Sequence, residues 1–266
     1  MNKPTVNQHD SFSSGQIRLY PKQEADERKQ DRCTPSPICS VCGGTGRLRI
    51  DVPYGDPSFG KSVLCSCVEE RQRSLLQQQR RQAANLDAFR GNTFKTFRTH
   101  LPGVQKAFQT SLAFAADPQG WLLLLGPSGC GKTHLATAIA NQHLDGGAVV
   151  FYTTLPDLLD ALRAVLISSE RYKQLFTWVR EVELLVLDDF GAQQPTAWSN
   201  EKLLQLLDYR AALALPTIIT AVKELQGLDE RLRSRLTDSQ LVTTVTFEHA
   251  RDYRPRKPVI ERKQGI

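Results

Sequence analysis

The sequence predicts an α/β fold in which a five-stranded parallel sheet is flanked by helices and preceded by a small cysteine-rich module. From Gly91 onward, short apolar runs alternate with helical segments, a pattern typical of βα units and a parallel sheet. One apolar run leads into a glycine-rich loop and then a helix. Four of the six cysteines fall within residues 39–67, ahead of this region.

The strand candidates are continuous apolar runs, as expected for a sheet covered on both faces. They are "WLLLL" (121–125), "AVVFYT" (148–153), "ELLVLD" (183–188), "TIIT" (217–220) and "LVTTVTF" (241–247). Helices are predicted between them, near residues 131–143, 155–165, 170–181, 199–213 and 228–236.

Composition indicates a soluble cytoplasmic protein with no membrane partner. The chain has 266 residues, of which 40% are hydrophobic and 23% charged. Its apolar runs are too short to cross a bilayer, and its N-terminus lacks the apolar core of a signal peptide. The net charge of +6 is compatible with a nucleic-acid partner and equally with an ordinary solvated surface, so charge does not decide the function.

Composition also divides the chain into segments. Polar residues 1–32 are predicted to form a disordered leader. Residues 71–90 form a linker that is predicted to be a largely exposed basic helix, whose large apolar residues are Leu75, Leu76 and Leu86. This linker could be a DNA- or partner-binding arm or a soluble spacer. The remaining segments are a four-cysteine module (33–70), the linker itself (71–90), the main α/β domain (91–256) and a basic tail (257–266).

The string "GPSGCGKT" at residues 126–133 predicts a phosphate-binding loop, or P-loop. It follows the strand "WLLLL" and precedes a helix, which is the context that this motif requires. Its glycines let successive backbone N–H groups point at phosphate oxygens, and the helix start adds a positive dipole end. Lys132 is predicted to reach the β- and γ-phosphates of ATP, and the Thr133 hydroxyl to bind Mg²⁺. The expected nucleotide contacts are Gly126, Pro127, Ser128, Gly129, Cys130, Gly131, Lys132, Thr133, His134 and Asp188.

Asp188 and Asp189 end the apolar strand "LLVLDDFG", at the edge of the sheet where α/β proteins bind their ligands. Alone, paired aspartates before Gly191 could simply end a strand in a turn. Together with the P-loop they predict a hydrolytic site. Asp188 would hold Mg²⁺, and Asp189 would orient or deprotonate the attacking water.

The cysteine cluster predicts a structural zinc site formed by Cys39, Cys42, Cys65 and Cys67. Cytoplasmic thiols stay reduced, and four thiolates complete a tetrahedral Zn²⁺ site. The residues between the two pairs predict a hairpin with "PYGDPSFG" at its tip. Alternatives are a redox dithiol and a J-type chaperone zinc domain, although only one of that domain's repeated C-x-x-C-x-G-x-G units occurs here.

The strings "GPSGCGKTHLA", "LLVLDDFG", "PTIITAVKELQGLDERLRSRLTD" and "FEHARDYRPR" resemble the AAA+ ATPases of the DnaC/DnaI helicase-loader and IstB transposition-helper group. The resemblance implies that "NTFKTF" (92–97) contacts the nucleotide base and that an arginine finger, Arg235 or else Arg231, reaches the site of a neighbouring subunit. It also implies a homo-oligomer with ATP, single-stranded DNA as a ligand and a replicative hexameric helicase as partner. A zinc module ahead of such an ATPase resembles the DnaI-type loaders, and the alternative is a transposition helper that selects target DNA.

Val222 departs from the pattern of this group, which commonly has asparagine there to sense the γ-phosphate. Either Thr220 substitutes for it, or hydrolysis is weakened. We therefore predict a slow, partner-stimulated ATPase; a zinc-bearing nucleic-acid binder without hydrolysis is a further alternative. The sequence does not locate the DNA contacts, since Arg251, Arg254, Arg256 and Lys257 could equally form a solvated tail.

Overall fold

The computed structural model describes residues 39–192, 196–222 and 228–254. The predicted leader (1–32), Cys33 and the basic tail (257–266) lie outside these residues. Across the described ranges, no helix has the length and apolar character needed to cross a membrane.

The cysteine-rich segment forms a small antiparallel hairpin followed by a long helix. Strand β1 (Arg47–Arg49) pairs with β2 (Ser62–Leu64), as the turn residues between them predict. Helix α1 (Ser66–Ala83) follows, and none of its residues is buried. It begins between Cys65 and Cys67, so the predicted linker helix starts inside the cysteine segment rather than after it.

The chain that leaves α1 belongs to the main domain, which differs from the exposed linker expected for residues up to 90. The helix ends at Ala83, and Asn85 then has a positive φ of 56°. This left-handed residue turns the chain inward. Ala84 and Leu86 are consequently buried in the core, at 1% and 0% exposure.

The main domain contains the predicted five-stranded parallel sheet. Its strands in space are ordered β4-β5-β6-β3-β7, and all neighbours are parallel. The carboxyl ends of β3 and β5 therefore lie at the same edge, separated only by β6. The strands are β3 (Trp121–Leu125), β4 (Val150–Thr154), β5 (Leu184–Phe190), β6 (Thr217–Ala221) and β7 (Val242–Thr246).

Helices cover both faces of this sheet. The sequence predicts five of them to within a few residues, but it does not predict α2. They are α2 (Gln105–Ala116), α3 (Lys132–Asp145), α4 (Leu155–Ala164), α5 (Ser169–Glu181), α6 (Ala197–Ala212) and α7 (Glu230–Leu236).

The core has two layers because successive strand residues point to opposite faces. On β3, Leu122 and Leu124 pack in one cluster with α2 and α3 residues. Trp121 and Leu123 pack in the other cluster with residues of α4 to α7. Each fully buried leucine contributes about 1.5–3 kcal/mol to folding, so the two-sided burial fixes the sheet on which the site is built.

Side-chain caps fix the starts of several helices. Thr154 Oγ1 accepts the Asp157 N–H at 3.2 Å at the start of α4. Thr196 and Ser199 form a reciprocal capping box at the start of α6. Such caps typically contribute about 1 kcal/mol each.

Candidate functional site

The glycine-rich loop connects the end of β3 to the start of α3. Gly129 and Gly131 have positive φ angles of 74° and 109°, which side-chain-bearing residues rarely adopt. At Gly131 a Cβ would also lie 2.8 Å from Cε2 of Phe97. Gly131 is the N-cap of α3, so the loop amides and the positive end of the helix dipole occur together. This arrangement suits the binding of phosphate.

Lys132 lies folded against the loop. Its side chain is buried, and Nζ donates to the carbonyl oxygens of Gly126 and Pro127, both at 2.9 Å. Gly126 and Pro127 therefore contribute their carbonyl oxygens to the site, as acceptors for Lys132. Phosphate oxygens are stronger, charged acceptors and could replace the carbonyls around this ammonium group.

Asp188, at the end of β5, is surrounded by three hydroxyl groups. Thr133 Oγ1 lies 2.9 Å from Oδ2 and 3.1 Å from Oδ1. The Tyr152 hydroxyl donates to Oδ2 at 2.8 Å, and the Thr220 hydroxyl donates to Oδ1. Burial and the Asp188 carboxylate raise the pKa of Tyr152, which keeps its hydroxyl protonated as a donor.

The Thr133 and Asp188 pair is chemically suited to Mg²⁺. Both residues offer hard oxygen ligands, and they already lie in contact at the mouth of the loop. Asp188 is only 3% exposed, and a buried carboxylate needs a compensating positive charge. A cation can supply that charge when the Thr133 hydroxyl turns its proton away from Asp188.

Asp189 lies at an irregularity of the sheet. The pairing of β5 with β6 shifts register between Leu187 and Phe190, and Asp189 has a positive φ of 53°. Its N–H donates to Thr220 Oγ1 at 3.1 Å, while its side chain lines the cavity beside the loop. Burial and the neighbouring Asp188 raise the pKa of Asp189, and Lys132 opposes the shift. The carboxylate is therefore a better proton acceptor than a free aspartate.

A cavity of about 510 Å³ opens beside the loop. Its volume is within the range of small-molecule sites, roughly 300–1,000 Å³. Residues 128–134 and Asp189 supply its polar lining, and Phe97, Leu101 and Val104 supply an apolar wall. The cavity thus combines a phosphate cradle with a surface suited to a flat base.

The segment 92–97 contributes Thr96 and Phe97 to the lining of this cavity. Phe97 packs edge-on against His134, with ring centroids 5.2 Å apart, and stacks on Phe108 at 5.7 Å. His134 Nε2 lies 3.0 Å from the Thr93 carbonyl oxygen. The first turn of α3 and this segment are therefore fixed to each other.

Thr220 supports the acidic pair instead of facing the cavity. It is fully buried, donates its proton to Asp188 and accepts from the Asp189 N–H. Its hydroxyl has no further proton for a phosphate oxygen. Val222, the next residue but one, is 54% exposed and offers only a hydrocarbon side chain.

The C-terminal described residues lie against the P-loop, which the sequence did not predict. The Tyr253 N–H donates to the Gly129 carbonyl oxygen at 3.1 Å, and Arg254 Nη2 donates to Ser128 Oγ at 3.2 Å. Arg254 also pairs with Asp252 at 2.6 Å. Tyr253 and Arg254 both line the cavity, so the structure places Arg254 beside the nucleotide site, with its side chain 65% exposed.

The arginine-finger candidates lie on α7, together with residues of α6. Arg231 and Arg235 line one groove with Leu204 and Asp208, as expected for residues four apart on a helix. Arg235 Nη2 lies 2.6 Å from Asp208 Oδ1, whereas Arg231 is 72% exposed. The lining of this groove shares no residue with that of the nucleotide cavity.

The four predicted zinc ligands converge. Their sulfur atoms all lie within 4.8 Å of one another, with Cys39 and Cys65 3.8 Å apart and Cys42 and Cys67 3.6 Å apart. A tetrahedral zinc with sulfurs at about 2.3 Å would place neighbouring sulfurs about 3.8 Å apart. The thiol positions therefore fit a Zn²⁺ ion.

The backbone beside Cys42 favours its thiolate, whereas a hydrogen bond with Cys65 and burial raise the pKa of Cys67 to about 12. Burial of Cys42 opposes its ionisation, but hydrogen bonds from the Gly46 N–H and from Cys67 outweigh burial and lower the pKa of Cys42 to about 6. The Gly46 N–H lies 3.3 Å from the Cys42 sulfur. Cys130, in contrast, is buried in the P-loop, and burial raises its pKa.

The residues that sequence reasoning missed include Tyr152, Arg254 and its neighbour Tyr253. Tyr152 stands in the middle of an apolar strand candidate, where a tyrosine has no distinguishing signal. Arg254 depends on a reversal of the chain that returns it to a loop 126 residues earlier. Neither spacing forms a local motif.

Comparison with known proteins places this site in a family. Residues 68–246 match the family described as "IstB-like ATP binding protein". The chain is 24% identical over 182 residues to the replicative helicase loader DnaC of Escherichia coli K12, which covers 66% of this chain and 74% of that protein. It is 26% identical over 194 residues to the phage-like element PBSX protein XkdC of Bacillus subtilis 168, covering 65% and 70% respectively.

Solved structures share the fold. A crystal structure of the DnaC helicase loader aligns with a TM-score of 0.51 and 24% identity, over 60% of this chain and 98% of that one. The replication initiator DnaA bound to AMPPCP and single-stranded DNA aligns with a TM-score of 0.53 and 20% identity, over 59% of this chain and half of that one. Because the family match spans most of the described chain and includes the P-loop, β5 and the acidic pair, this protein belongs to the IstB-like ATP-binding proteins and has the AAA+ P-loop fold.

Proposed function

We propose that the protein is an ATP-dependent loader that delivers a replicative hexameric helicase onto single-stranded DNA in the cytoplasm. The observation that carries the proposal is the presence on one chain of a nucleotide cavity and a separate module of four converging thiols. A loader requires both a nucleotide switch and a docking part. The similarity to DnaC, which is named a replicative helicase loader, supports the assignment.

In this proposal the P-loop amides and Lys132 grip the triphosphate. Thr133 and Asp188 hold the accompanying Mg²⁺, which supplies charge neutralisation on the phosphate oxygens. The Phe97 wall receives the adenine base. Lys132 exchanges the carbonyls of Gly126 and Pro127 for phosphate oxygens when the nucleotide enters.

Hydrolysis is proposed to be slow and dependent on assembly. Asp189 accepts a proton from the attacking water, a role suited to its raised pKa. Arg235 stabilises charge on the γ-phosphate bound by a neighbouring subunit, for which it must leave Asp208. The exposed hydrocarbon of Val222 cannot sense phosphate, and Thr220 is already committed to Asp188, so a fast intrinsic rate is not expected.

The four cysteines are proposed to hold Zn²⁺ and thereby make the N-terminal module rigid enough to dock on the helicase. The hairpin is too small to be held by its own core, since Val63 and Leu64 are 49% and 57% exposed. Metal binding would therefore supply most of its folding free energy.

A second candidate function is that of a transposition helper that selects target DNA for a transposase. The observation that favours it is the family match itself, which carries the IstB-like description. Both candidates use the same nucleotide chemistry, and they differ in the protein that the chain recruits.

The experiment that tests the proposal is a comparison of partners. The purified full chain is mixed with the replicative helicase or with the transposase of the same cell, and with ATP and single-stranded DNA. A loader binds the helicase and increases its unwinding of a DNA circle. Lys132→Ala should abolish this effect, whereas the exposed Lys106→Ala on α2 should not. Binding to the transposase alone would favour the second candidate.

A further inference from the structure

The chain that leaves α1 is joined to the edge of the main sheet at Tyr152. Strand β4 is an edge strand, and the Tyr152 N–H donates to the Ala84 carbonyl oxygen at 3.0 Å. The Asn85 side-chain amide donates in turn to the Tyr152 carbonyl oxygen at 3.2 Å. Ala84 and Asn85 therefore hold Tyr152 by hydrogen bonds to both its N–H and its carbonyl oxygen.

The side chain of Tyr152 points from this junction to the acidic pair. Its hydroxyl donates to Asp188 Oδ2 at 2.8 Å in a buried contact. Its ring packs against Phe89, with centroids 4.7 Å apart, and the residue is 7% exposed. Tyr152 is thus held through its backbone by Ala84 and Asn85, and it holds Asp188 through its hydroxyl.

The end of α1 and the segment that follows it also contact α3, which begins with Lys132 and Thr133. Arg81 donates to Asn141 Oδ1 at 2.6 Å, and the Asn141 amide donates to the carbonyl oxygens of Phe89 and Asn92. Residues 81–92 therefore contact the elements that carry both proposed magnesium ligands. They contact α3, which carries Thr133, and Tyr152, which donates to Asp188.

We propose that Tyr152 is a positioning residue for Asp188 and that it couples the end of α1 to the metal-binding half of the nucleotide site. The inference rests on the proposed use of Thr133 and Asp188 as magnesium ligands. Carboxylates that bind metals are oriented by outer hydrogen-bond donors, and loss of such a donor typically weakens metal affinity about 10–100-fold. Because α1 carries Cys67 in its first turn and Ala84 follows its last, this path connects the cysteine module to Asp188.

The test is a magnesium titration of fluorescent ATP-analogue binding to the full chain. Tyr152→Phe removes the hydroxyl and keeps the ring that packs on Phe89. We expect the magnesium concentration at half-saturation to rise about tenfold or more, while metal-free nucleotide affinity stays near that of the control. The control is Tyr172→Phe on α5, whose hydroxyl is buried and makes no hydrogen bond within the described ranges.

The coupling to α1 is tested with Asn85→Gly. Glycine accepts the φ of 56° but lacks the amide that donates to Tyr152. We expect it to raise the magnesium midpoint several-fold in the wild-type background and to add nothing in the Tyr152→Phe background, because both act on one contact path. Additive effects would contradict the coupling.

Several outcomes overturn the inference. An unchanged magnesium midpoint in Tyr152→Phe would show that the hydroxyl does not position Asp188. An equal loss of metal-free binding would show a merely structural role. If Tyr152→Phe does not fold, an unchanged midpoint in Asn85→Gly overturns the coupling by itself. If nucleotide binding by the wild-type chain does not depend on magnesium, the proposed function itself is contradicted. That measurement is made before any variant is prepared.

Discussion

Thr133 and Asp188 are in direct contact, with Oγ1 of Thr133 2.9 Å from one carboxylate oxygen and 3.1 Å from the other. The contact joins the first turn of α3 to the end of β5. A cation bound at this point would have an oxygen from each element, which links occupation of the site to the relative position of helix and sheet.

Removal of the Thr133 hydroxyl is expected to uncouple nucleotide binding from magnesium. Thr133→Ala should lose most of the gain in ATP affinity that magnesium gives, about tenfold or more, because one ligand is absent. Thr133→Ser retains the hydroxyl and should behave like wild type. Calorimetry with and without magnesium measures both, and full magnesium dependence in the alanine variant would contradict the assignment.

Asp189→Asn is expected to separate binding from hydrolysis. The amide keeps the shape and tolerates the left-handed backbone, but it cannot accept a proton from water. ATP affinity should stay within about twofold of wild type, while the hydrolysis rate falls about 10²–10⁴-fold. An unchanged rate would exclude Asp189 as the base.

The pH dependence of hydrolysis gives an independent check on the same residue. The base must be ionised, so the rate falls as pH falls through its pKa. Because burial raises the pKa of Asp189, this acid limb should lie at higher pH than for an exposed aspartate. Partner-stimulated ATPase rates measured across pH should show this limb, and the residual rate of Asp189→Asn should lack it.

Mixing two inactive variants tests the action of Arg235 between subunits. Arg235→Ala should bind ATP but not hydrolyse it, and Asp189→Asn should do the same for a different reason. In mixed assemblies the intact Arg235 of one variant completes the intact site of the other, so activity should return. A mixture as inactive as its components would argue that Arg235 does not act between subunits.

The thiol cluster is expected to bind one zinc ion per chain. Cys42→Ser should lose the metal and the order of the hairpin, as measured by elemental analysis and by protease sensitivity of residues 39–65. Cys130→Ser is the matched control, since Cys130 lies in the P-loop and should leave zinc content unchanged. A metal-free wild-type chain with an ordered hairpin would contradict the zinc assignment.

Arg254 is expected to strengthen triphosphate binding. Its guanidinium lies beside Ser128 of the P-loop and can reach a phosphate at little cost, since its partner Asp252 is half exposed. Arg254→Ala should weaken ATP binding about three- to tenfold, in line with one charged hydrogen bond partly screened by water. The exposed Arg251→Ala keeps the same net charge change and should bind ATP normally.

Local patterns in the sequence predict the strands of the sheet but not all of the helices that cover it. β3 matches its prediction at both ends because an apolar run stops abruptly at the P-loop glycine. Helix α2 escapes because it buries mainly small residues, Ala107, Ser111 and Ala115, together with Phe114. Without a stripe of large apolar side chains there is no periodic signal to read.

The site divides in the same way. The loop, Lys132, Thr133 and the acidic pair are predictable because their chemistry is confined to two short strings. The contacts of Tyr152 and Arg254 are not, since they arise where distant segments meet on the folded sheet. The sequence leaves open whether Thr220 substitutes for the asparagine missing at Val222, and only the structure shows its single proton directed at Asp188.

The positive φ of Asp189 has a consequence for mutational tolerance at that position. Asparagine and glycine would satisfy the backbone, and glutamate would keep a carboxylate, but only aspartate meets both demands without a local shift of the strand. When every amino acid is tested at position 189, the set that permits folding should therefore differ from the set that permits ATP hydrolysis. The register shift beside Asp189 therefore makes this aspartate hard to replace by glutamate.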